Sequence, residues 1–339
     1  MPDAATEGYP ATASARDRFV LARRGPRTTR DPWQAHGLIV EDERGADGRP
    51  MSIATVLLTG RECPWRCTMC DLWLDTIETD TPPGAIPTQI AGARATVRDG
   101  GTPVTGMKLY NAGSFFDPRA VPEGDYDDIA TALIGLSHVV VESHPALVGP
   151  RLDRWLAALA RQAGDAAPQL EVAMGLETAH PQALDRLNKR FTLADFAAAA
   201  QALADRAVAL RVFLLISPPF VAAAEQDEWL LRSVDAALSC GATVVSLVPT
   251  RPGNGTLEDL AHSGWFRAPN LDDIERSVAM ALTHAAGRGR VFVDVWDLER
   301  FASCSHCFAA RRERLVAMNL AQRVLPPVAC QDRHGEVVG

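Results

Sequence analysis

Lysine is nearly missing from this sequence: of 34 Lys and Arg residues, only Lys108 and Lys189 are lysine. A general preference for arginine accounts for the surface, where any solvated cation serves. It does not account for the two exceptions, because a compact ammonium with freely rotating donors does work that a planar guanidinium does not. Both lysines are therefore candidates for orienting a ligand, against the plainer alternative of ion pairs on a barrel floor. Excess positive charge is missing too. Asp and Glu number 42, giving a net charge of −8, which excludes a protein whose main work is coating nucleic acid with cations. Seven cysteines in 339 residues are too few for a disulfide scaffold, and 47% hydrophobic with 22% charged residues is too apolar for a disordered chain. No run approaches the roughly 20 apolar residues that cross a bilayer: the best candidate, Leu210 to Ile216, stops at Ser217-Pro218-Pro219. The first 30 residues scatter Arg16, Arg18, Arg23, Arg24, Arg27 and Arg30 with no apolar core between them, so they lack the pattern of a secretory signal. The expectation is a cytoplasmic protein without membrane association, in which cysteines serve as metal ligands or catalytic thiols.

What is present is alternation. Apolar runs at Ser52 to Leu58, Thr105 to Tyr110, His138 to Val141, Leu170 to Leu176, Leu210 to Ile216 and Ala242 to Val248 read as six strands. Between them lie stretches with Ala and Leu at helical spacing, such as Arg151 to Gln162 and Thr192 to Ala204. Repeated strand then helix predicts an α/β protein with a parallel sheet. Six units in about 200 residues fit a partial (β/α)6 TIM-like barrel better than the eight-fold form of about 250 residues; a doubly wound open sheet is the competing architecture. The reading divides the chain into an N-terminal extension (1–47), a core (48–285) and a Cys-containing C-terminal extension (286–339), the last with one more strand-like run, Val291 to Val295.

The first strand runs into Leu58-Thr59-Gly60-Arg61-Glu62-Cys63-Pro64-Trp65-Arg66-Cys67-Thr68-Met69-Cys70-Asp71. Three thiolates on so tight a loop would need a distant fourth ligand to make a structural zinc site, but they suit three irons of a [4Fe–4S] cube with the fourth iron left open. The CxxxCxxC spacing of Cys63, Cys67 and Cys70 resembles the signature of the radical S-adenosylmethionine (SAM) superfamily, and the resemblance covers about residues 50 to 260. It implies a partial (β/α)6 barrel, a cluster and SAM as cofactors, an external electron donor of flavodoxin or ferredoxin type, and reductive cleavage of SAM to a 5′-deoxyadenosyl radical that abstracts hydrogen. Met69 stands where that family usually has an aromatic residue beside the adenine, and methionine is polarisable enough to pack there. The second strand ends in Tyr110-Asn111-Ala112-Gly113-Ser114, where the superfamily binds the methionyl amino group. There a glycine followed by a hydroxyl lets backbone approach a polar ligand. Tyr110, Gly113, Ser114, Glu177 and Ser217, all at strand ends, are the further cofactor-binding candidates. Glu142, Lys108 and Lys189 are the candidates for orienting substrate. A lone strand-end Glu is as often an N-cap or surface ion pair, but Glu142 and Glu177 stand in register with the cysteine loop.

More narrowly, Tyr110 to Phe115, Val140 to Pro145, Glu171 to Thr178, Asn188-Lys189-Arg190 and Leu214 to Phe220 resemble the radical SAM enzymes of archaeosine biosynthesis, in the wider group that includes the Elongator catalytic subunit. That family has arginine before the proline after the third strand and glycine after its Asn-Lys pair, where this chain has His144 and Arg190. The resemblance implies lyase chemistry on a modified guanine of tRNA, releasing a lysyl appendage. Cys304-Ser305-His306-Cys307, then Cys330 and His334, could bind zinc or a second iron–sulfur cluster, or be inert buried thiols. Cys240 reads as core packing. The competing functions are an iron–sulfur electron carrier or sensor, a radical SAM enzyme acting on a small metabolite, and a zinc-stabilised RNA-binding module using Arg311, Arg312 and Arg314.

Overall fold

The computed structural model describes residues 8–330. Its strands are β1 (Gly37–Arg44), β2 (Pro50–Leu58), β3 (Gly106–Asn111), β4 (His138–Glu142), β5 (Gln169–Glu177), β6 (Ala209–Ile216), β7 (Ala242–Pro249) and β8 (Arg290–Val293), joined in that order into one sheet. β1 and β2 pair antiparallel, and every later pair is parallel. The helices are α1 (Ala13–Leu21), α2 (Ala85–Asp99), α3 (Tyr126–Ala132), α4 (Pro150–Ala163), α5 (Pro181–Arg186), α6 (Leu193–Ala204), α7 (Gln226–Ser239), α8 (Thr256–His262), α9 (Leu271–Ala285) and α10 (Ser305–Ala321). Among the described residues, no helix is long and apolar enough to cross a membrane.

Alternation along each strand sorts side chains to two faces. One set, including Val56, Met107, Val139, Val172, Val212 and Val245, packs with Ile86, Trp155, Phe196, Val234 and Val278 of the helices into the main apolar layer. The other set lines the inside of the curved sheet and is mixed. Ile53, Val140 and Ala173 cluster there with Met51, Tyr110 and Phe213, beside a buried ionic network. Arg211 pairs with Glu43 and Glu171, and Lys108 lies 2.6 Å from Glu43 and 3.1 Å from Glu41. Despite its burial, the Arg211 and Lys108 charges hold the Glu43 carboxyl well below the usual carboxylate range.

The six predicted strands are β2 to β7, and β8 falls on the seventh run. β1 lies within the stretch read as an extension. Its sequence, Gly-Leu-Ile-Val-Glu-Asp-Glu-Arg, loses apolar alternation because Glu41 and Glu43 meet Lys108 and Arg211 from far along the chain. The Gly45-Ala46-Asp47-Gly48 turn then closes the hairpin, with the Gly45 N–H donating to the Arg49 carbonyl at 2.7 Å and Gly48 at φ +80°. At the other edge, Asn319 and Gln322 at the end of α10 exchange side-chain hydrogen bonds of 2.7–2.9 Å with the backbone of Val293 and Val291, which covers the open rim of β8.

Candidate cluster and cofactor site

All the parallel strands end on one side, and the cysteine loop follows β2 across that side. Protein contacts fix it at several points. The Cys63 N–H donates to Ala112 O beyond β3 (3.4 Å), and the Thr68 N–H to Leu187 O beyond α5 (3.0 Å). Asn188 Nδ2 donates to Arg66 O at 2.8 Å, and Asn254 Nδ2, beyond β7, donates to Thr68 O at 2.8 Å and Cys70 O at 3.3 Å. The N-terminal segment straps the loop from outside. The Tyr9 hydroxyl lies 2.8 Å from Thr68 Oγ1 and donates to Arg186 O at 2.6 Å, while Glu62 is held by Arg24 (2.8 Å), Arg27 (2.7 Å) and Arg66 (3.2 Å).

Burial pushes the three loop thiols up, that of Cys67 to about 12, with Lys189 opposing the shift at Cys63 and Cys67. Burial thus keeps these thiols protonated, and a metal binding them would have to displace those protons. Among the described residues, the set of three ligand atoms gathered within 4.8 Å of one another is that of Cys304, Cys307 and Cys330, and the loop thiols do not form another. The donor set, three thiols on one tight loop, fits three irons of a [4Fe–4S] cluster.

Around this loop the strand ends are strained in a common way. Ser114 (φ +66°), Glu177 (φ +66°) and Ser217 (φ +57°), following β3, ending β5 and following β6, are non-glycine residues in the left-handed region. Each costs about 1 kcal/mol or more. Glu177 faces Lys189 at 2.5 Å, and both are buried. A Cβ on Gly175 would collide with the Glu177 carboxylate and the Lys189 ammonium. Burial alone would push the Lys189 ammonium down, but Glu177 raises it above the ordinary lysine value, so this residue stays a cation.

Glu142 ends β4 and accepts from the Asn111 N–H at 3.1 Å. Burial pushes its carboxyl up to about 8, with the Glu177 charge adding to the rise and the Asn111 hydrogen bond and Lys189 opposing it, which favours the neutral form at pH 7. With its amide oxygen turned toward them, Asn111 accepts from the Gly113 and Ser114 N–H groups at 3.2 and 3.1 Å. At the rim His144 stacks on Trp65 (3.6 Å between centroids, 12° between planes) and its Nε2 lies 2.9 Å from Lys189 O. Burial and Lys189 push its imidazole down to about 3, so it is neutral.

Cys63, Cys67, Cys70, Ser114, Glu142, Glu177 and Lys189 thus stand together at the end of the barrel where the parallel strands finish. Met69 packs beside the cluster of Tyr9 and Phe220. Ser217 is half-buried. Tyr110 points into the sheet's concave side, edge-on to Phe213 at 5.9 Å. Gly113 is needed for a close approach within the protein, since a Cβ there would collide with Arg61 O of the cysteine loop and with Ala120. Lys108 is apart from the others, in the ionic network below Tyr110. Sequence reasoning missed Asn111, Asn188, Asn254, Glu62 and Tyr9. The only local signal was asparagine beside a turn, in Leu187-Asn188-Lys189 and Gly253-Asn254-Gly255.

No family model matches the sequence. The archaeosine synthase subunit beta of Methanosarcina acetivorans is 28% identical over 227 residues, covering 64% of this chain and 63% of that protein. The match therefore spans less than two thirds of the relative's length. Among solved structures, the Methanocaldococcus infernus Elp3 lacking its N-terminus aligns with a TM-score of 0.50 at 12% identity, over 69% of this chain and 59% of that one. Methylornithine synthase (PylB) aligns with a TM-score of 0.51 at 12% identity, over 96% and 86%. Both structural likenesses speak to the fold, a curled partial TIM barrel. The chain is thus similar in sequence to an archaeosine synthase subunit beta and in fold to Elp3 and methylornithine synthase, and with the three-thiol loop after β2 these likenesses support the radical SAM resemblance.

Proposed function

We propose that the protein cleaves SAM reductively and uses the product radical for C–N lyase chemistry on a modified tRNA base. The observation that carries this reading is the convergence of the cysteine loop, the Glu177–Lys189 pair and Glu142 at one end of the barrel; similarity to an archaeosine synthase subunit supports the substrate. When bound, the cluster and SAM supply one electron and a 5′-deoxyadenosyl radical able to take hydrogen from an unactivated carbon, and a flavodoxin or ferredoxin type donor provides that electron.

The protein's own residues bind, orient and exclude water. Cys63, Cys67 and Cys70 hold three irons. The Lys189 cation offsets negative charge beside the thiolates. Ser114, Glu177 and Ser217, whose backbones are fixed in costly conformations, present polar groups to SAM. Glu142 is a half-buried carboxyl with no ionic partner of its own among the described residues. An incoming lysyl ammonium would favour loss of its proton to solvent and pair with the carboxylate that remains, which suits a base bearing a lysyl appendage. The Trp65–His144 stack offers a flat rim against which an unstacked base can rest.

The test is anaerobic reconstitution with dithionite and SAM, with and without tRNA carrying a lysyl-modified guanine. The expected result is 5′-deoxyadenosine in both, release of the appendage only with the tRNA, and neither product from Cys67→Ala. Failure to form 5′-deoxyadenosine would leave an electron carrier. Its formation with no change in the tRNA would redirect the search to small metabolites.

A further inference from the structure

Cys304, Cys307 and Cys330 take no part in the site above, yet their three sulfurs lie within 4.8 Å of one another, with Cys304 Sγ 3.7 Å from Cys330 Sγ. None of the three is in a disulfide. The arrangement is built by the local fold. Cys304 is the N-cap of α10 and Cys307 sits in its first turn, so the CxxC spacing puts both sulfurs on one side of the helix start. The tail after α10 doubles back along the helix, where Arg314 donates to the carbonyls of Leu325 (2.7 Å) and Pro326 (2.7 Å), and it brings Cys330 to the same point.

We infer that Cys304, Cys307 and Cys330 supply three ligands of a tetrahedral zinc site that staples the tail to the start of α10. The spacing decides between a single ion and a cluster. Four ligands about 2.3 Å from one zinc stand about 3.8 Å from each other, as these sulfurs nearly do, whereas thiolates on a cube each bind a different iron and are held further apart. Metal entry replaces three thiol protons, which pass to solvent, with one divalent ion. The fourth corner falls to a donor beyond the three sulfurs. The sequence offers His306, next to Cys307, and His334, which lies outside the described residues. The site's purpose follows from what α10 does: its far end supplies Asn319 and Gln322 to the free edge of β8. Fixing its near end holds the whole helix along that edge.

The test uses the full chain with Cys63→Ala, Cys67→Ala and Cys70→Ala, so that the loop cluster contributes no metal and the result is independent of the radical reading. Elemental analysis is expected to find about one zinc per chain, lost when Cys304→Ser and Cys307→Ser are added and kept with Cys240→Ser. Cobalt(II) titrated into the metal-free parent is expected to give the intense visible bands and thiolate charge-transfer absorption of a tetrahedral cobalt site. This measurement decides the matter even if the further variant does not fold. Absence of both zinc and that spectrum would overturn the inference, and so would about four irons per chain in the parent, the mark of a second cluster.

Discussion

Glu142 is expected to make the protein less stable as pH rises through neutrality, the reverse of what most carboxylates do. Its carboxyl is pushed up to about 8 in the fold by burial, against an ordinary value of roughly 4.3 in the unfolded chain. The folded state therefore holds the proton more tightly than the unfolded one. The stabilisation is complete below about pH 4, declines as pH climbs through the interval, and is gone above about pH 8. Each unit of displacement is worth about 1.4 kcal/mol, so the swing is on the order of 3 kcal/mol once the side chain's partial exposure is allowed for. Glu142→Gln keeps the shape and the acceptor for the Asn111 N–H but cannot ionise. In urea unfolding of the metal-free chain under reducing, anaerobic conditions, variant and wild type should match near about pH 5. By about pH 8.5 the variant should be the more stable by roughly 3 kcal/mol. The comparison cancels groups that titrate in both, including Glu43, whose depressed value costs stability only in acid. A difference that stays constant across this range would refute the reasoning, since it would place the Glu142 proton no more tightly in the fold than out of it.

Other positions give sharper yes-or-no results. Lys108→Met should cost about 3 kcal/mol or more, because it strands charge in a buried network, without altering SAM affinity per folded molecule; lost SAM binding at unchanged urea midpoint would return Lys108 to the site. Gly175→Ala should leave iron content intact while weakening SAM binding measured by calorimetry, because the new Cβ displaces the Glu177–Lys189 pair; unchanged affinity would mean the pair is not part of the cofactor site. Arg190, at φ +61°, occupies the place where the archaeosine family has glycine. Relief of left-handed strain, about 1 kcal/mol, should roughly offset loss of the exposed Arg190–Asp17 pair, worth at most about 1 kcal/mol. Arg190→Gly should thus be near neutral in thermal unfolding and Arg190→Val clearly destabilising, and equal losses would argue against the backbone explanation.

The barrel was legible because its outward strand positions are apolar in every unit, and that periodicity survives whatever lies inside. β1 was not legible, because half its information is Glu41 and Glu43, whose meaning depends on Lys108 and Arg211 at distant points in the sequence. The same distinction runs through the site. Cys63, Cys67 and Cys70 announce themselves by spacing within one loop. Glu142 and Glu177 could be placed because strand ends in a parallel barrel share one side. Asn188, Asn254 and Tyr9 act on the loop through one or two hydrogen bonds each over 59 to 186 residues, and no local pattern records such a contact. Lys108 drew attention as one of two lysines, but rarity pointed equally to a ligand and to a buried pair, and only the position of Glu43 separates them.

The strap from residues 9 to 27 has a consequence for the order in which the molecule comes together. These residues are the first of the described chain to be synthesised, yet Arg16 is bonded to Asp185 and Tyr9 to Arg186, 169 and 177 residues later. Contacts of such separation form late, after the loop-closure entropy between them has been met by other pairings. The three thiols are thus exposed to an iron donor throughout synthesis of the first half of the barrel and become fenced only when the turn after α5 is in place. An iron donor would on this order load the loop before closure, and closure would then oppose loss. A chain begun at residue 31 should accept iron readily but surrender it faster to a chelator, whereas equal rates of loss would show that the strap steadies the loop without guarding it.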